Sequence, residues 1–241
     1  MNLEGKTALV TGASSGIGKA VSMAMAAEGV SVGLLARSED KLEKTRQEIE
    51  QKGGRALPVS ADVSDPEQVQ KAVENTVDEF GSLHIVASIA GLGIFKNVEE
   101  MSVEEWDTHI NVMLRGSFLV AKYSLPHLYE QEQGHVLAVT SLWAKRFCAK
   151  CSGYTGAKFG VRGMLQSVRE EARSHNVKVT NIMPGTVDTP FFEKTDWETD
   201  LTRALWPEDV AQTAVFALQL PDRAVVEEIQ LQAIQPDGCT E

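Results

Sequence analysis

The residues with the clearest catalytic potential are a tyrosine and a lysine four positions apart, Tyr154 and Lys158. At helical positions i and i+4 the two side chains would share one face. A free tyrosine phenol has a pKa of about 10, and a cation one turn away is expected to lower that pKa. Such a pair could give a proton to a carbonyl oxygen or take one from an alcohol. Taken alone, this spacing also occurs by chance in many helices.

Ser141 strengthens the prediction of carbonyl or alcohol chemistry. It stands 13 residues before Tyr154, where the fifth predicted strand ends. Ligands of a parallel sheet bind at the carboxyl ends of its strands, so the Ser141 hydroxyl could donate to the same oxygen. The alternative is that Ser141 is only a turn residue.

A glycine-rich turn near the N-terminus could hold a phosphate. It follows the first predicted strand, opens the first predicted helix, and contains Gly12, Ser14, Ser15, Gly16, Ile17 and Gly18. Gly12 suits a tight turn, Gly16 allows a phosphate to approach the backbone, and Gly18 allows close packing of helix on strand. The helix N-terminus would present free N–H groups to a pyrophosphate. The same glycines would also suit a tight turn without a ligand.

Short β-branched runs alternate with longer amphipathic runs, which is typical of strands and helices around a parallel sheet. The predicted strands are residues 7–11, 30–36, 56–60, 83–89, 134–140, 177–183 and 226–231, and the predicted helices are residues 17–28, 38–52, 65–80, 103–130, 154–174 and 207–219. Right-handed crossovers then predict a doubly wound α/β (Rossmann) sheet of about seven strands, flanked by helices on both faces. We place no boundary, so residues 1–241 are predicted to form a single domain.

Composition excludes several classes of protein. The chain has 241 residues, with 34 acidic and 23 basic side chains and a formal net charge of −11, which disfavours nucleic acid and anionic membranes as partners. No apolar run approaches the roughly 18 residues of a membrane span. The polar N-terminus shows no signal peptide. An odd count of 3 cysteines suits a reducing cytoplasm, where we expect the protein to be located.

The motifs together resemble the short-chain dehydrogenase/reductase family over nearly the whole chain. The glycine spacing G-x-x-x-G-x-G precedes Ser141, Tyr154 and Lys158, and a Pro-Gly segment follows the sixth predicted strand. The resemblance implies that Tyr154 is the acid/base, that Ser141 orients and polarises a carbonyl, and that Lys158 also binds the nicotinamide ribose. It further implies cofactor contacts at Asp62 and Val63 (adenine), Ala90 and Gly91, and Pro184, Gly185, Val187 and Thr189 (nicotinamide and pyrophosphate).

The end of the second predicted strand indicates the form of the cofactor. An NAD site usually has a carboxylate there, on the ribose hydroxyls. This chain has Ala36 at the position where NAD-using members of the family carry Asp, and Arg37 follows at once. A guanidinium can hold a 2′-phosphate through two parallel charge-assisted hydrogen bonds, so we predict NADP(H). The alternative is that Arg37 caps a solvated helix start. Asp62, likewise, could be only an N-cap.

These residues predict an NADPH-dependent oxidoreductase that transfers hydride between nicotinamide and a small carbonyl or alcohol substrate: a ketone, an aldehyde or a 3-oxoacyl compound. Two positions depart from the family pattern. Ser88-Ile89 stands where Asn-Asn is usual, and Met113 replaces an Asn whose backbone carbonyl holds a water of the proton relay. The departures leave two rival hypotheses: a catalytically weak or inactive NADP(H)-binding sensor, and an interaction protein that uses the fold as a scaffold.

Cys148 and Cys151 form a C-x-x-C pair between Ser141 and Tyr154. Structural zinc needs four ligands, and neither a second such pair nor suitably spaced histidines is present, so no metal site is predicted. A thioredoxin-like role requires a helix N-terminus, which we do not expect in this loop. We therefore predict two free thiols.

Residues 190–206 are predicted to form a lid over the substrate. This segment carries the aromatic residues Phe191, Phe192, Trp197 and Trp206 among the acidic residues Glu193, Asp196, Glu198 and Asp200. The aromatic side chains could cover an apolar ketone, and the carboxylates disfavour anionic substrates. The alternative is a solvated flap packed by its tryptophans.

The family resemblance also implies a homo-oligomer. In the family, the helices that correspond to residues 103–130 and 154–174 pair across a two-fold axis, giving dimers or tetramers. We expect exposed apolar side chains on this face to require a partner, and name Phe118, Leu119, Val161 and Leu165 as candidates.

Overall fold

The computed structural model describes residues 1–195, 197 and 199–234. Its strands are β1 (Thr7–Thr11), β2 (Ser31–Ala36), β3 (Arg55–Ser60), β4 (Ile85–Ser88), β5 (Gly134–Val139), β6 (Val177–Pro184) and β7 (Glu228–Leu231). They form one sheet in the order β3-β2-β1-β4-β5-β6-β7, and every neighbouring pair is parallel. From β1 the chain adds β2 and β3 on one side of the sheet. It then returns to the centre and adds β4 to β7 on the other side. The predicted doubly wound fold is therefore confirmed.

Helices connect the strands and cover both faces of the sheet. They are α1 (Gly16–Ala27), α2 (Glu39–Gln51), α3 (Pro66–Phe80), α4 (Val103–His109), α5 (Gly116–Glu130), α6 (Ser152–Ala172) and α7 (Pro207–Gln219). Local signals explain their bounds, as α3 illustrates. The Asp65 carboxylate accepts hydrogen bonds from the N–H groups of Glu67 and Gln68, and Gly81 ends the helix in the left-handed region.

Two hydrophobic cores lie on opposite faces of the sheet, because side chains alternate along each strand. On β1, Ala8 and Val10 point to the core beneath α1, α2 and α7, while Leu9 points to the core beneath α3, α5 and α6. Both faces of the sheet are therefore buried, and the strand ends are left as the open edge of the molecule.

The long helix predicted over residues 103–130 is interrupted. A π-helical turn, Ile110–Arg115, lies between α4 and α5. Gly116 follows this turn, and a Cβ atom there would lie 3.2 Å from the Val63 backbone oxygen, so the absence of a side chain lets the helix approach the loop after β3. A π turn inside a helix often marks a functional site, and this one carries Met113.

The expectation of four exposed apolar residues on α5 and α6 is wrong for three of them. Phe118 is 48% exposed, but Leu119, Val161 and Leu165 are buried in the core beneath these helices. The reason is that their side chains lie on the sheet-facing stripes of α5 and α6. The exposed aromatic side chains on this side of the molecule are Trp106, Phe118 and Phe159. In the described part of the chain, no helix is long and apolar enough to cross a bilayer.

Candidate active site

The carboxyl ends of the strands open into one cavity of about 620 Å³. All residues predicted from the sequence to bind a cofactor or to act in catalysis line this cavity: Gly12, Ser14, Ser15, Gly16, Ile17, Gly18, Arg37, Asp62, Val63, Ala90, Gly91, Ser141, Tyr154, Lys158, Pro184, Gly185, Val187 and Thr189. The cavity spans the point between β1 and β4 where the strand order reverses, which is where doubly wound sheets bind their ligands.

The glycine turn forms a cradle that side chains would fill. Gly12 and Gly16 have positive φ angles of 71° and 51°, which L-residues with a side chain rarely adopt. A Cβ atom on Gly16 would lie 3.1 Å from the Cγ2 atom of Thr189, so the turn and the segment after β6 meet here. The Ser15 side chain makes no capping hydrogen bond to α1, which leaves the first N–H groups of that helix as donors for a phosphate.

The end of β2 carries positive charge. The strand finishes at Ala36, and the cavity wall continues through the exposed Arg37 to Lys41 on α2. Asp62 follows the neighbouring strand β3. Burial disfavours its carboxylate, but hydrogen bonds from the Ser64 hydroxyl and N–H and the charge of Arg37 outweigh burial and lower its pKa. Arg37 and Lys41 supply the cations that a ribose phosphate needs.

Tyr154 and Lys158 lie one turn apart on α6, and both are buried. Burial raises the pKa of Tyr154 to about 12, with side-chain hydrogen bonding to Ser141 acting in the opposite direction. Burial also lowers the pKa of Lys158 to about 8. The Lys158 Nζ atom lies 5.6 Å from the centre of the Tyr154 ring and donates to the Val139 carbonyl oxygen at 3.2 Å. The pKa of Tyr154 is therefore raised and not lowered as expected, because desolvation outweighs the side-chain hydrogen bonding to Ser141.

Ser141 lies two residues beyond the end of β5, and its hydroxyl has a structural partner. Its Oγ atom accepts a hydrogen bond from the Trp143 N–H at 3.1 Å and so begins a short 3₁₀ turn. A hydroxyl that accepts one hydrogen bond keeps its own proton for donation. The structural and the chemical interpretations of Ser141 are therefore compatible.

Comparison with known proteins identifies the family. Residues 6–199 match the family described as short chain dehydrogenase. The chain belongs to the short-chain dehydrogenase/reductase family. An uncharacterized oxidoreductase of Staphylococcus saprophyticus is 33% identical over 235 residues, which are 97% of this chain and 100% of that relative.

Solved structures of the short-chain dehydrogenase/reductase family superimpose on nearly the entire chain. The alcohol dehydrogenase of Thermococcus sibiricus, complexed with 5-hydroxy-NADP, has a TM-score of 0.89 and 33% identity, covering 96% of this chain and 99% of its own. A metagenomic short-chain oxidoreductase in complex with NADP has a TM-score of 0.86 and 28% identity, covering 98% of this chain and 100% of its own. Nicotinamide dinucleotides therefore bind to close structural relatives of this protein.

Met113 is the main departure from the short-chain dehydrogenase/reductase pattern. It is buried in the π turn, and its carbonyl oxygen accepts a hydrogen bond from the Ser117 hydroxyl at 2.6 Å. Its Sδ atom faces Gly91, where a Cβ atom would be 3.6 Å away. Asn111, two residues earlier, is exposed and does not take the place of the missing asparagine.

Sequence reasoning missed two residues that shape this short-chain dehydrogenase/reductase site. The buried Thr11 hydroxyl accepts hydrogen bonds from the N–H groups of Ile89 and Ala90, at 2.9 and 3.1 Å, and so holds the loop after β4 against β1. His109 donates from Nδ1 to the Glu105 carbonyl oxygen and accepts at Nε2 from the Ile94 N–H. Two features of the sequence could have pointed to them: Thr11 is a hydroxyl residue at the end of an apolar strand, and His109 lies on an apolar helix face.

The prediction of two free thiols in the C-x-x-C pair is wrong. Cys148 and Cys151 form a disulfide, with their Cα atoms 5.6 Å apart. The turn between them includes Lys150 with a φ of 65°, and it brings the two Cα atoms into the range that a disulfide requires. Cys151 also precedes the first residue of α6, so the pair does stand at a helix N-terminus.

The predicted lid contributes only its first part to the cavity. Phe191, Phe192 and Trp197 line the cavity, whereas Trp206 is 67% exposed and does not. Asp196, Glu198 and Cys239 lie outside the described residues. Among the residues that the structure does describe, no three His, Cys, Asp or Glu side chains come together as a metal site would need.

Proposed function

We propose that this protein is an NADP(H)-dependent oxidoreductase that interconverts a carbonyl compound and its alcohol. The observation that carries the proposal is the convergence of Ser141, Tyr154 and Lys158 on the same cavity that the glycine turn of α1 enters. The cradle formed by Gly12, Gly16 and the uncapped start of α1 fits the pyrophosphate of a dinucleotide.

The bound nicotinamide supplies the hydride chemistry. Tyr154 stays neutral at pH 7, since its pKa of about 12 lies far above that pH, and its Oη atom holds the proton for a carbonyl oxygen. The Ser141 hydroxyl donates to the same oxygen and orients it. Lys158, with a pKa of about 8, is mainly cationic at pH 7 and favours negative charge on the phenol oxygen after the proton has left.

The phosphorylated form of the cofactor is favoured by charge. Arg37 and Lys41 line the wall of the cavity beyond the end of β2, where Ala36 replaces the carboxylate of an NAD site. A carboxylate there would repel a 2′-phosphate, whereas a guanidinium can bind it with two parallel hydrogen bonds.

We also propose that the protein works in the cytoplasm as a homodimer or homotetramer, on small molecules and without nucleic acid or membrane partners. The observation that supports the oligomer is the set of exposed aromatic side chains, Trp106, Phe118 and Phe159, on the face formed by α4, α5 and α6. Light scattering at micromolar concentration checks the assembly, and a monomer contradicts it.

The proposed reaction is tested by NADPH oxidation with a panel of ketones, aldehydes and 3-oxoacyl thioesters. Tyr154→Phe should lower kcat/KM by at least about 10²-fold, because it removes the proton donor. It should leave the NADPH dissociation constant within about threefold, because it changes no phosphate contact. Tyr123→Phe, on α5 and away from the cavity, is the matched control. Turnover that survives Tyr154→Phe unchanged would remove Tyr154 as the acid.

A second candidate, a catalytically weak NADP(H)-binding sensor, is favoured by Met113 and its carbonyl bond to Ser117. It predicts NADPH binding without turnover of any panel member, and a partial gain of activity in Met113→Asn. The proposed oxidoreductase instead turns over with Met113 in place, because a backbone carbonyl is present whatever the side chain. Failure to bind NADPH or NADH would exclude both functions.

A further inference from the structure

Aromatic rings enclose Tyr154 at the end of the cavity. The centre of the Tyr154 ring lies 5.8 Å from that of Phe95, 5.7 Å from that of Trp143 and 6.0 Å from that of Phe191. Trp197 lies 5.0 Å from Phe95 and 5.4 Å from Trp143 and closes the group. The rings meet mostly edge to face, the arrangement that aromatic pairs prefer. We call Phe95, Trp143, Phe191 and Trp197 the aromatic wall; Trp143, Phe191 and Trp197 line the cavity, and Phe95 packs against all three.

Backbone hydrogen bonds hold two members of this wall in place. The Trp143 N–H donates to the Ser141 Oγ atom, so the indole is two residues from a group that contacts the reacting carbonyl. Phe95 is only 9% exposed, and the N–H of the preceding residue, Ile94, donates to the buried imidazole of His109. The wall is thus anchored to the scaffold from two sides before any substrate arrives.

Charge is segregated along the cavity. Among its described lining residues, the cations are Arg37, Lys41 and Lys158 and the anion is Asp62. Arg37, Lys41 and Asp62 lie toward the second and third strands, and Lys158 is bonded to the Val139 carbonyl behind Tyr154. Among the described lining residues, the aromatic end therefore offers a substrate carboxylate or phosphate no cation besides Lys158, which is buried and donates to the Val139 carbonyl oxygen. Burying an anion without a partner is strongly unfavourable.

We infer that the substrate is an uncharged ketone that carries a flat aromatic ring near its carbonyl group, and that Trp143 and Phe191 select that ring. This inference rests on the proposed carbonyl chemistry. Flat rings gain edge-to-face contacts with the wall that a saturated ring of the same size cannot make. Charged substrates and carrier-linked 3-oxoacyl thioesters, which bring phosphate groups, gain nothing from this end of the cavity.

The test compares substrates of equal size and similar carbonyl reactivity. For the unmodified protein with NADPH, kcat/KM for 1-phenyl-2-propanone should exceed that for 1-cyclohexyl-2-propanone by about tenfold, the equivalent of two aromatic contacts. Two anionic substrates are compared as well: the phenyl ketone with a para-carboxylate group, and acetoacetyl-CoA. For each of them kcat/KM should be at least about tenfold lower than for the phenyl ketone. Equal values for the phenyl and cyclohexyl ketones, or faster turnover of either anion, would overturn the inference.

Variants of Trp143 and Phe191 test whether the aromatic wall causes the preference for the phenyl ketone. Trp143→Ala and Phe191→Ala should each reduce the ratio of kcat/KM for the phenyl ketone to that for the cyclohexyl ketone to between about one and three, mainly by raising KM for the phenyl ketone. Trp143→Phe, which keeps an aromatic ring, should retain most of the original ratio. Phe216→Ala, which changes an exposed ring on α7, is the matched control and should leave the ratio unchanged. A ratio that is unaffected by both wall variants would contradict the assignment.

A binding experiment separates this inference from the proposed function. Calorimetry in the presence of NADP⁺ compares 2-phenylacetamide with 2-cyclohexylacetamide, which are not reduced. If no ketone or thioester turns over, the proposed function fails, and tighter binding of the phenyl amide by about tenfold still supports an aromatic-selective pocket. If ketones turn over but the two amides bind equally, the function stands and the aromatic selectivity is wrong.

Discussion

The Cα atom of Gly18 faces the carbonyl oxygen of Gly12 so closely that a Cβ atom on Gly18 would lie 2.2 Å from that oxygen. The start of α1 is therefore pressed against the end of β1, and only a residue without a side chain fits. This contact sets the direction in which the first N–H groups of the helix point into the cavity. We expect the shape of the glycine turn to depend on this contact.

Replacing Gly18 with alanine should disrupt the cradle. The added methyl group forces α1 away from β1, so we expect the free energy of unfolding to fall by about 1–3 kcal/mol and NADPH to bind at least about tenfold more weakly. Denaturant unfolding and calorimetry measure the two effects. Gly163→Ala, on α6 with no atom within 4 Å of the new methyl group apart from its chain neighbours and the local helix backbone, is the control and should stabilise by up to about 1 kcal/mol. Normal NADPH affinity in Gly18→Ala would show that the close contact is not needed.

Arg37 should decide the preference between the two nicotinamide cofactors. We expect NADPH to bind at least about tenfold more tightly than NADH, or about 1.4 kcal/mol, because only NADPH has a phosphate for the guanidinium. Arg37→Ala should remove most of this difference, while Lys44→Ala, an exposed change on α2 outside the cavity, should not. Fluorescence titration of the unmodified protein and of both variants with NADPH and NADH measures these affinities. Equal affinities in the unmodified protein would refute NADP(H) preference.

The disulfide should contribute to stability. Closing the short loop between Cys148 and Cys151 restricts the unfolded chain, and the chain-entropy argument gives about 2 kcal/mol for so few residues. We expect the Cys148→Ser/Cys151→Ser double variant, or the protein treated with a dithiol reductant, to unfold at correspondingly lower denaturant. Thiol titration of the unreduced, denatured protein should find only Cys239. Three reactive thiols in that titration would show that the bridge is absent in solution.

Acid should destabilise the protein through His135. This histidine is fully buried on β5, and burial, with the nearby Lys178 and N-terminal charges, lowers its pKa to about 3. The unfolded chain takes up a proton below about pH 6.5 while the folded chain does not, so stability is lost as pH falls from 6.5 toward 3. The slope from this group is about 1.4 kcal/mol per pH unit.

Denaturant unfolding between pH 7 and pH 4 measures this loss. His135→Gln should be less stable at pH 7, because a flexible amide fills the fully buried site of the imidazole less well, but its stability should fall less steeply with acid. His127→Gln, on the surface of α5, should keep the slope of the unmodified protein. An unchanged slope in His135→Gln would assign the acid sensitivity to other groups.

The sequence by itself determined the sheet, the cradle and the spacing of the candidate catalytic residues. Period-two and period-3.6 patterns are local properties of the chain, so the strands and helices are found within a few residues of their predicted bounds. The glycine turn and the Tyr154–Lys158 pair are local as well, because both lie within one or two helical turns. Parallel pairing then brings the strand ends, and with them Ser141, to one edge.

Only the tertiary structure decided the environment of those residues. The direction of the Tyr154 pKa depends on desolvation by Phe95 and Trp143, which come from distant segments, and no spacing rule foresees it. The same holds for the Thr11 hydroxyl that anchors the loop after β4. Which apolar residues of α5 and α6 are exposed depends on how those helices rotate against the sheet. Burial and long-range contacts are sums over the whole packed chain, whereas the motifs are properties of a few neighbouring residues.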